Sequence, residues 1–208
     1  RAEDELQALL RLVEEIEPSV CTWLVFHRTE PSTHEPGVRL VRRILAPYDP
    51  QARIGGGSNG YFTALNRTRP SHEALDVVCY SLTPQVHTFD NASLVEALAT
   101  QAVMLESARQ FVGDRPIAIS PITLKPRFVL GGSGPAPVFA PGELPPQVDP
   151  RQMSLFGAGW TATSLKYVSQ GGAHSVTYYE TAGWRGVMER ASGSPLPKQF
   201  HSLPGAVF

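Results

Sequence analysis

Residues 77–122 read VVCYSLTPQVHTFDNASLVEALATQAVMLESARQFVGDRPIAISPI, the clearest strand–helix–strand pattern in the chain. Two apolar runs, Val77 to Leu82 and Ile117 to Ile122, bracket a segment in which Leu94, Leu98, Ala102, Leu105 and Ala108 recur at helical spacing. Ser93-Leu-Val-Glu96 reads as a capping box at the head of one long helix, and Asp90 or Asn91 can also cap it. Near-continuous apolar strands flanking an amphipathic helix indicate a parallel βαβ unit. Parallel strands need a crossover, and the crossover helix covers the sheet.

The same rhythm extends in both directions. Cys21 to Phe26, Arg53 to Gly57 and Ser175 to Tyr179 are further strand-like runs. Leu6, Leu9, Leu10, Val13 and Ile16 form a helical stripe before the first strand, and Val38, Val41, Ile44 and Leu45 repeat that spacing after it. A Pro/Gly-rich loop over 129–149 leads into a helix that takes Asp149 as N-cap, Pro150 at its first position and Gln152 at its third; Gly171 and Gly172 end it.

Two α/β architectures fit five such units. A doubly wound sheet would place a Gly-rich phosphate turn before a helix, and residues 55–60 (GGGSNG) offer only a superficial match without the G-x-G-x-x-G register. A (β/α)8 TIM barrel builds its site from residues just past the C-terminal ends of its strands, and polar residues cluster there after every run. The barrel is favoured. The expectation is one domain, 1–208, covering roughly the last five βα units, with the N-terminal remainder of the barrel as its partner in a longer parent protein.

Composition narrows the function. With 42% hydrophobic residues and a formal charge of -1, the chain can bury a sizeable core and has no basic stripe for nucleic acid. No apolar run reaches membrane-span length, and no basic leader precedes an apolar segment. The two cysteines, Cys21 and Cys79, lie in strand-like runs and read as buried, reduced thiols. A cytoplasmic enzyme or binding domain is the expectation.

The strand ends supply the candidate residues. They are His27 and Glu30 after the first run, and Asn59, Tyr61 and Asn66 after the second. Gln85 and His87 follow the third, Lys125 and Arg127 the fourth, and Tyr179 and Glu180 close the fifth. Amides and tyrosines bond hydroxyls and aromatic faces cover C–H surfaces, so the set suits a polyhydroxylated ligand. Imidazole titrates near neutrality, which makes His87 the leading base candidate. Glu180 suits the same task or simply holds Arg185. Although His27, Glu30, His87 and Glu180 could meet at one mouth, no H-E-x-x-H, C-x-x-C or His-x-His spacing enforces a metal, so no metal or other cofactor is expected. No G-x-S-x-G elbow is present, and the penultimate strand ends in Lys125 where a retaining glycosidase would want an acid.

Residues 55–67 (GGGSNGYFTALNR), 83–91 (TPQVHTFDN), 123–128 (TLKPRF), 149–153 (DPRQM) and 177–186 (TYYETAGWRG) resemble those of the D-apionate lactonases. The resemblance implies a glycosidase-like barrel that opens D-apionolactone to D-apionate in apiose catabolism. It implies no residue roles, and those assigned here come from chemistry. Lactone opening needs a base for water, donors for an oxyanion and an acid for the ring oxygen. His87 or Glu180 is the expected base, Lys125 with Arg127 or Asn59 the oxyanion donor, and Tyr179 the acid. Gln85, Asn66 and Tyr61 are expected to hold hydroxyls. The competing expectations are a glycoside hydrolase of the same fold and a non-catalytic carbohydrate-binding domain.

Overall fold

The computed structural model describes residues 2–27, 30–71, 73–127, 144–183 and 185–188. Most of the Pro/Gly-rich loop read at 129–149 therefore lies outside the described residues. Helix α1 (Ala2–Ile16) is followed by β1 (Thr22–Val25), α2 (Glu35–Leu45), β2 (Arg53–Tyr61), α3 (Phe62–Thr68) and β3 (Val77–Leu82). Then come α4 (Asn91–Glu96), a 3-10 turn over Ala97–Ala99, α5 (Thr100–Val112) and β4 (Ile117–Ile122). A second 3-10 turn (Pro150–Met153), α6 (Leu155–Gln170) and β5 (Ser175–Tyr178) complete the repeating part, and the short strands β6 (Glu180–Ala182) and β7 (Gly186–Met188) pair with each other.

Strands β1 to β5 form one sheet in sequence order, and every neighbouring pair is parallel. A doubly wound sheet would reverse its order at a switch point, and this one never does. Five consecutive parallel strands, each crossover carrying a helix, make the wall of a (β/α)8 barrel, as the residue pattern indicated.

Alternation along the strands separates two faces. Ile54, Val78, Tyr80, Leu82, Ile117 and Ile119 join Val38, Val41, Leu65, Leu94, Leu105 and Trp160 in the main core, so this face packs on the helices. Val77, Cys79 and Ala118 form a second cluster with Leu24 and Phe26 on the opposite face. Leu105 is fully buried between α5 and the sheet; truncating such a leucine to alanine costs about 2–5 kcal/mol. Glycine is required at Gly57, where φ is +148° and a Cβ would stand 2.2 Å from the Cys79 carbonyl oxygen.

Several local readings are corrected. The helix expected from Ser93 onward is broken into α4, a 3-10 turn and α5, and its cap is Asp90, which accepts from the Ser93 amide (2.9 Å) and hydroxyl (2.7 Å). Ser93 lies inside the helix, so the capping box does not form. Asp149 does cap, but only the short 3-10 turn; Ser154 then caps α6. Cys79 is buried as expected, and its thiol is pushed up to about 12 by burial, whereas Cys21 lies exposed just before β1. No described helix is long and apolar enough to cross a membrane.

The pairing register shifts near the C-terminal ends of three of the four pairs, β2–β3, β3–β4 and β4–β5, between Ser58 and Tyr61, Tyr80 and Leu82, and Ile119 and Ile122. Such irregularities re-aim side chains and are common beside active sites. Here they all fall at the end of the sheet where the candidate residues lie.

Candidate active site at the strand ends

The first two strand ends are open and polar. Past β1, a half-exposed Glu30 sits between two imidazoles: His27 Nδ1 is 3.9 Å from Glu30 Oε1, and His34 Nε2 is 3.5 Å from Glu30 Oε2. His34 is also the N-cap of α2, where its Nδ1 accepts the Gly37 amide at 2.9 Å. These three residues are the group of possible metal ligands found among the described residues. The cap argues against that use. A nitrogen that accepts an N–H is unprotonated, so the proton of neutral His34 lies on Nε2, where it points at Glu30 as a donor rather than offering a lone pair to a cation. Sequence reading named His27 and Glu30 but missed His34; its signal was a cap-capable side chain directly before Glu35-Pro36.

At the end of β2 the irregular register sets out Asn59, half-buried, with a side-chain amide that has no hydrogen bond among the described residues. Its carbonyl is held by the Ser81 hydroxyl at 3.0 Å. Tyr61 is half-buried beside it, its phenol pushed up by burial. Asn66 is not brought to this rim. It lies in the last turn of α3, accepts from Arg69 at 3.1 Å, and Arg69 in turn stacks on Phe111 at the end of α5. Both helices run back toward the strand starts, so the pair of Asn66 and Arg69 belongs to the helix layer.

The β3 to β5 ends are closely tied. Gln85, 2% exposed, donates to the Leu124 carbonyl and to Asp149 and accepts from Arg151 at 3.0 Å. With both N–H groups committed, it has no donor left for a ligand hydroxyl. Arg151 bonds both Asp149 oxygens, at 2.7 and 3.0 Å, and reaches the Phe89 carbonyl and Asn91. Burial alone would raise the Asp149 carboxyl, but the bonds from Arg151 and Gln85 outweigh it and hold the group below the ordinary aspartate range. This latch, which sequence reading saw only as a helix cap, fixes the loop carrying His87 to the entrance of α6. His87 itself is exposed and has no hydrogen bond or ion pair among the described residues.

Glu180 is held by the guanidiniums of Arg127 and, at 2.9 Å, Arg185, as the second reading of this residue anticipated. Arg127 is almost fully buried, its Nε has no partner among the described residues, and desolvation lowers its affinity for a proton against the pull of Glu180. Lys125 is half-buried, and its ammonium makes no bond among the described residues. Tyr179 is placed away from the rim. Its φ of +53° turns the ring into the seam between sheet and α6, where its hydroxyl pairs with Thr161 at 2.7 Å, and burial pushes the phenol up to about 12. Neighbouring Tyr178 bonds Ser164 of the same helix at 2.8 Å.

Residues 1–207 match the family described as D-apionate lactonase, TIM barrel domain. The chain belongs to this D-apionate lactonase family. A curated D-apionate lactonase from Brucella anthropi is 38% identical over 78 residues, which are 38% of this chain and 13% of that relative. The matched stretch is thus a small part of the relative's length. Among solved structures, the β-glucuronidase of Ruminococcus gnavus superposes with a TM-score of 0.51 at 11% identity, over 88% of this chain and 33% of that one. The β-glucuronidase of Bacteroides uniformis gives 0.53 at 12% identity, over 90% and 24%. At such identities these neighbours establish the fold alone, a glycosidase-type barrel, for this member of the D-apionate lactonase family.

Proposed function

We propose that this barrel segment carries catalytic groups of a lactone hydrolase that opens D-apionolactone to D-apionate. The observation that carries the reading is the family match across residues 1–207. The chemistry of the rim agrees with it. Ester hydrolysis needs a base and a cation or amide for the oxyanion, and the rim offers imidazoles and, among the described residues, an uncommitted ammonium at Lys125 and an uncommitted amide at Asn59. A strand-end imidazole draws the proton from water, as His87 was first nominated to do. Lys125 and Asn59 receive the carbonyl oxygen as it becomes an oxyanion. Tyr61 contributes a hydroxyl contact to the sugar.

Three roles are reassigned on geometric grounds. Glu180, gripped by two guanidiniums, anchors Arg127 and Arg185. Gln85 fixes its loop. Tyr179 braces α6, so the leaving ring oxygen takes its proton from the imidazolium formed in the first step. A glycoside hydrolase would use two carboxylates in complementary roles. Here Glu180 lies between arginines and Glu30 between histidines. We further propose that additional βα units close the barrel, since among the described residues β1 pairs only with β2 and β5 only with β4.

The test is hydrolysis of D-apionolactone by the complete polypeptide, beside other aldonolactones and aryl glycosides. Lactone opening that collapses in Lys125→Met supports the reading. Glycoside cleavage with inert lactones overturns it, and saturable sugar binding without turnover of either class replaces it with a binding role.

A further inference from the structure

The geometry points to His27 as the general base of this site, oriented by Glu30, with His34 as the residue that fixes Glu30. The inference deepens the lactonase reading and rests on it. Two observations and one step of chemistry carry it. First, the tautomer of His34 is set by the backbone: Nδ1 accepts the Gly37 amide at 2.9 Å, so Nε2 carries the proton and presents it to Glu30 Oε2, 3.5 Å away. A Cβ on Gly37 would stand 2.9 Å from His34 Cε1, so the glycine leaves room for this ring position. Second, the other Glu30 oxygen faces His27 Nδ1 at 3.9 Å, while the two rings stand 5.6 Å apart and tilted by 42°. One carboxylate thus has an imidazole on each oxygen.

Third, a carboxylate facing Nδ1 selects the His27 tautomer with its proton on that nitrogen, which puts the basic lone pair on Nε2. This is the logic of a base oriented by a third group, and it also stabilises the imidazolium once the proton is taken. The present separations are ion-pair distances. Catalytic hydrogen bonds are often long in the unliganded state and tighten when substrate binds. His87, by contrast, has no orienting carboxylate among the described residues.

The step balances. His27 Nε2 takes one proton from water as the water oxygen bonds to the lactone carbonyl carbon, giving a tetrahedral oxyanion. Collapse reforms the carbonyl and breaks the bond from carbon to the ring oxygen, and that oxygen takes the proton back from His27. The product is the open hydroxy acid, one water heavier than the lactone, and no other reactant is consumed.

The experiment measures D-apionolactone hydrolysis by the complete polypeptide carrying His27→Ala, with and without added imidazole, beside Glu30→Gln, His34→Asn and His87→Ala. Loss of a positioned base typically lowers turnover by about 10²- to 10⁴-fold. The expected result is a kcat loss of that size in His27→Ala, partly restored by imidazole. Glu30→Gln and His34→Asn should lose a smaller share with KM little changed. Asparagine keeps the α2 cap, so His34→Asn separates the contact to Glu30 from helix stability. Retained activity in His27→Ala overturns the inference, as does a loss that imidazole does not restore in a variant with wild-type thermal unfolding. So does a larger, imidazole-rescued loss in His87→Ala. Should His27→Ala fail to fold, His27→Gln takes its place with the same criteria. A wild-type protein inert toward every lactone overturns the functional reading, and this inference with it, whereas active wild type beside active His27→Ala removes the inference alone.

Discussion

The two sides of the strand-end rim are built on opposite plans. From β3 to β5, the ionic groups are largely committed to one another: Gln85, Asp149 and Arg151 on one latch, Arg127, Glu180 and Arg185 on another. Gln147 and Gln152, flanking Asp149, bond Arg185 and the Gly186 carbonyl at 2.7 Å each, so the segment 147–152 ties the β3 loop to the β6–β7 piece. Past β1, His27, Glu30 and His34 are half-exposed and loosely paired, and the Asn59 side chain at the end of β2 has no hydrogen bond among the described residues. The two plans divide the labour of the rim. The network of Gln85, Asp149 and Arg151 is largely buried, so it costs desolvation, returns fixed geometry and holds a loop in place. A half-exposed group with spare hydrogen-bonding capacity can trade its partners for a ligand.

The largest expected effect lies on the tied side. Asp149→Ala leaves the Arg151 guanidinium and one Gln85 N–H without their buried acceptor, and breaking one member of a buried pair costs about 3–5 kcal/mol. Arg151 is partly solvated, so the expected destabilisation is about 3 kcal/mol, read as a fall in the urea midpoint with an unchanged slope. A loss below about 1 kcal/mol would mean that the latch does not hold the segment and that the two sides of the rim do not differ as described.

A smaller effect is written in pH. The Asp149 carboxyl is held below its ordinary range in the folded protein, so the folded state favours the ionised form. Its contribution is complete above the unfolded value of about 3.9 and is lost as pH falls through the lower, folded value. Asp149→Asn should therefore differ most from wild type above about pH 4, with the gap narrowing at more acid pH. The measurement is urea unfolding of both proteins along that range. A gap independent of pH would show that shape, not charge, makes the latch.

Much of the fold was legible in the sequence because burial writes itself as apolar spacing. The runs at 77–82 and 117–122 are buried along most of their length and formed as strands, and the stripe between them formed as helix in two pieces with one face on the core. The breaks were not legible. The 3-10 turn at Ala97–Ala99 falls in a segment of good helix formers, where tertiary packing and not propensity decides. The site was half legible for a related reason. Residue type and strand-end position nominated Glu180 and Arg127, which do meet. Whether a polar side chain is spent on its neighbours depends on contacts such as Gln85 to Asp149, 64 residues apart in sequence. Tyr179 was misplaced because a positive φ at a non-glycine residue leaves no mark in the composition of its neighbourhood.

The smallest stability effect is expected on the open side, at Glu30. Its two contacts, at 3.5 and 3.9 Å, are longer than hydrogen bonds, and all three side chains are more than a third exposed. Exposed pairs of this kind contribute about 0–1 kcal/mol, because solvent screens the attraction and fixing the side chains costs entropy. The α2 cap does not depend on Glu30, since the Gly37 amide is held by His34 alone among side chains. Glu30→Gln keeps the shape of the side chain and removes its charge, and should change unfolding free energy by no more than about 0.5 kcal/mol. Denaturant unfolding beside Asp149→Ala gives the contrast directly. If Glu30→Gln proves as costly as Asp149→Ala, the β1 rim is another structural latch. If it is neutral, the half-exposed carboxylate between two imidazoles has no structural duty at this rim, as its proposed role in orienting His27 requires.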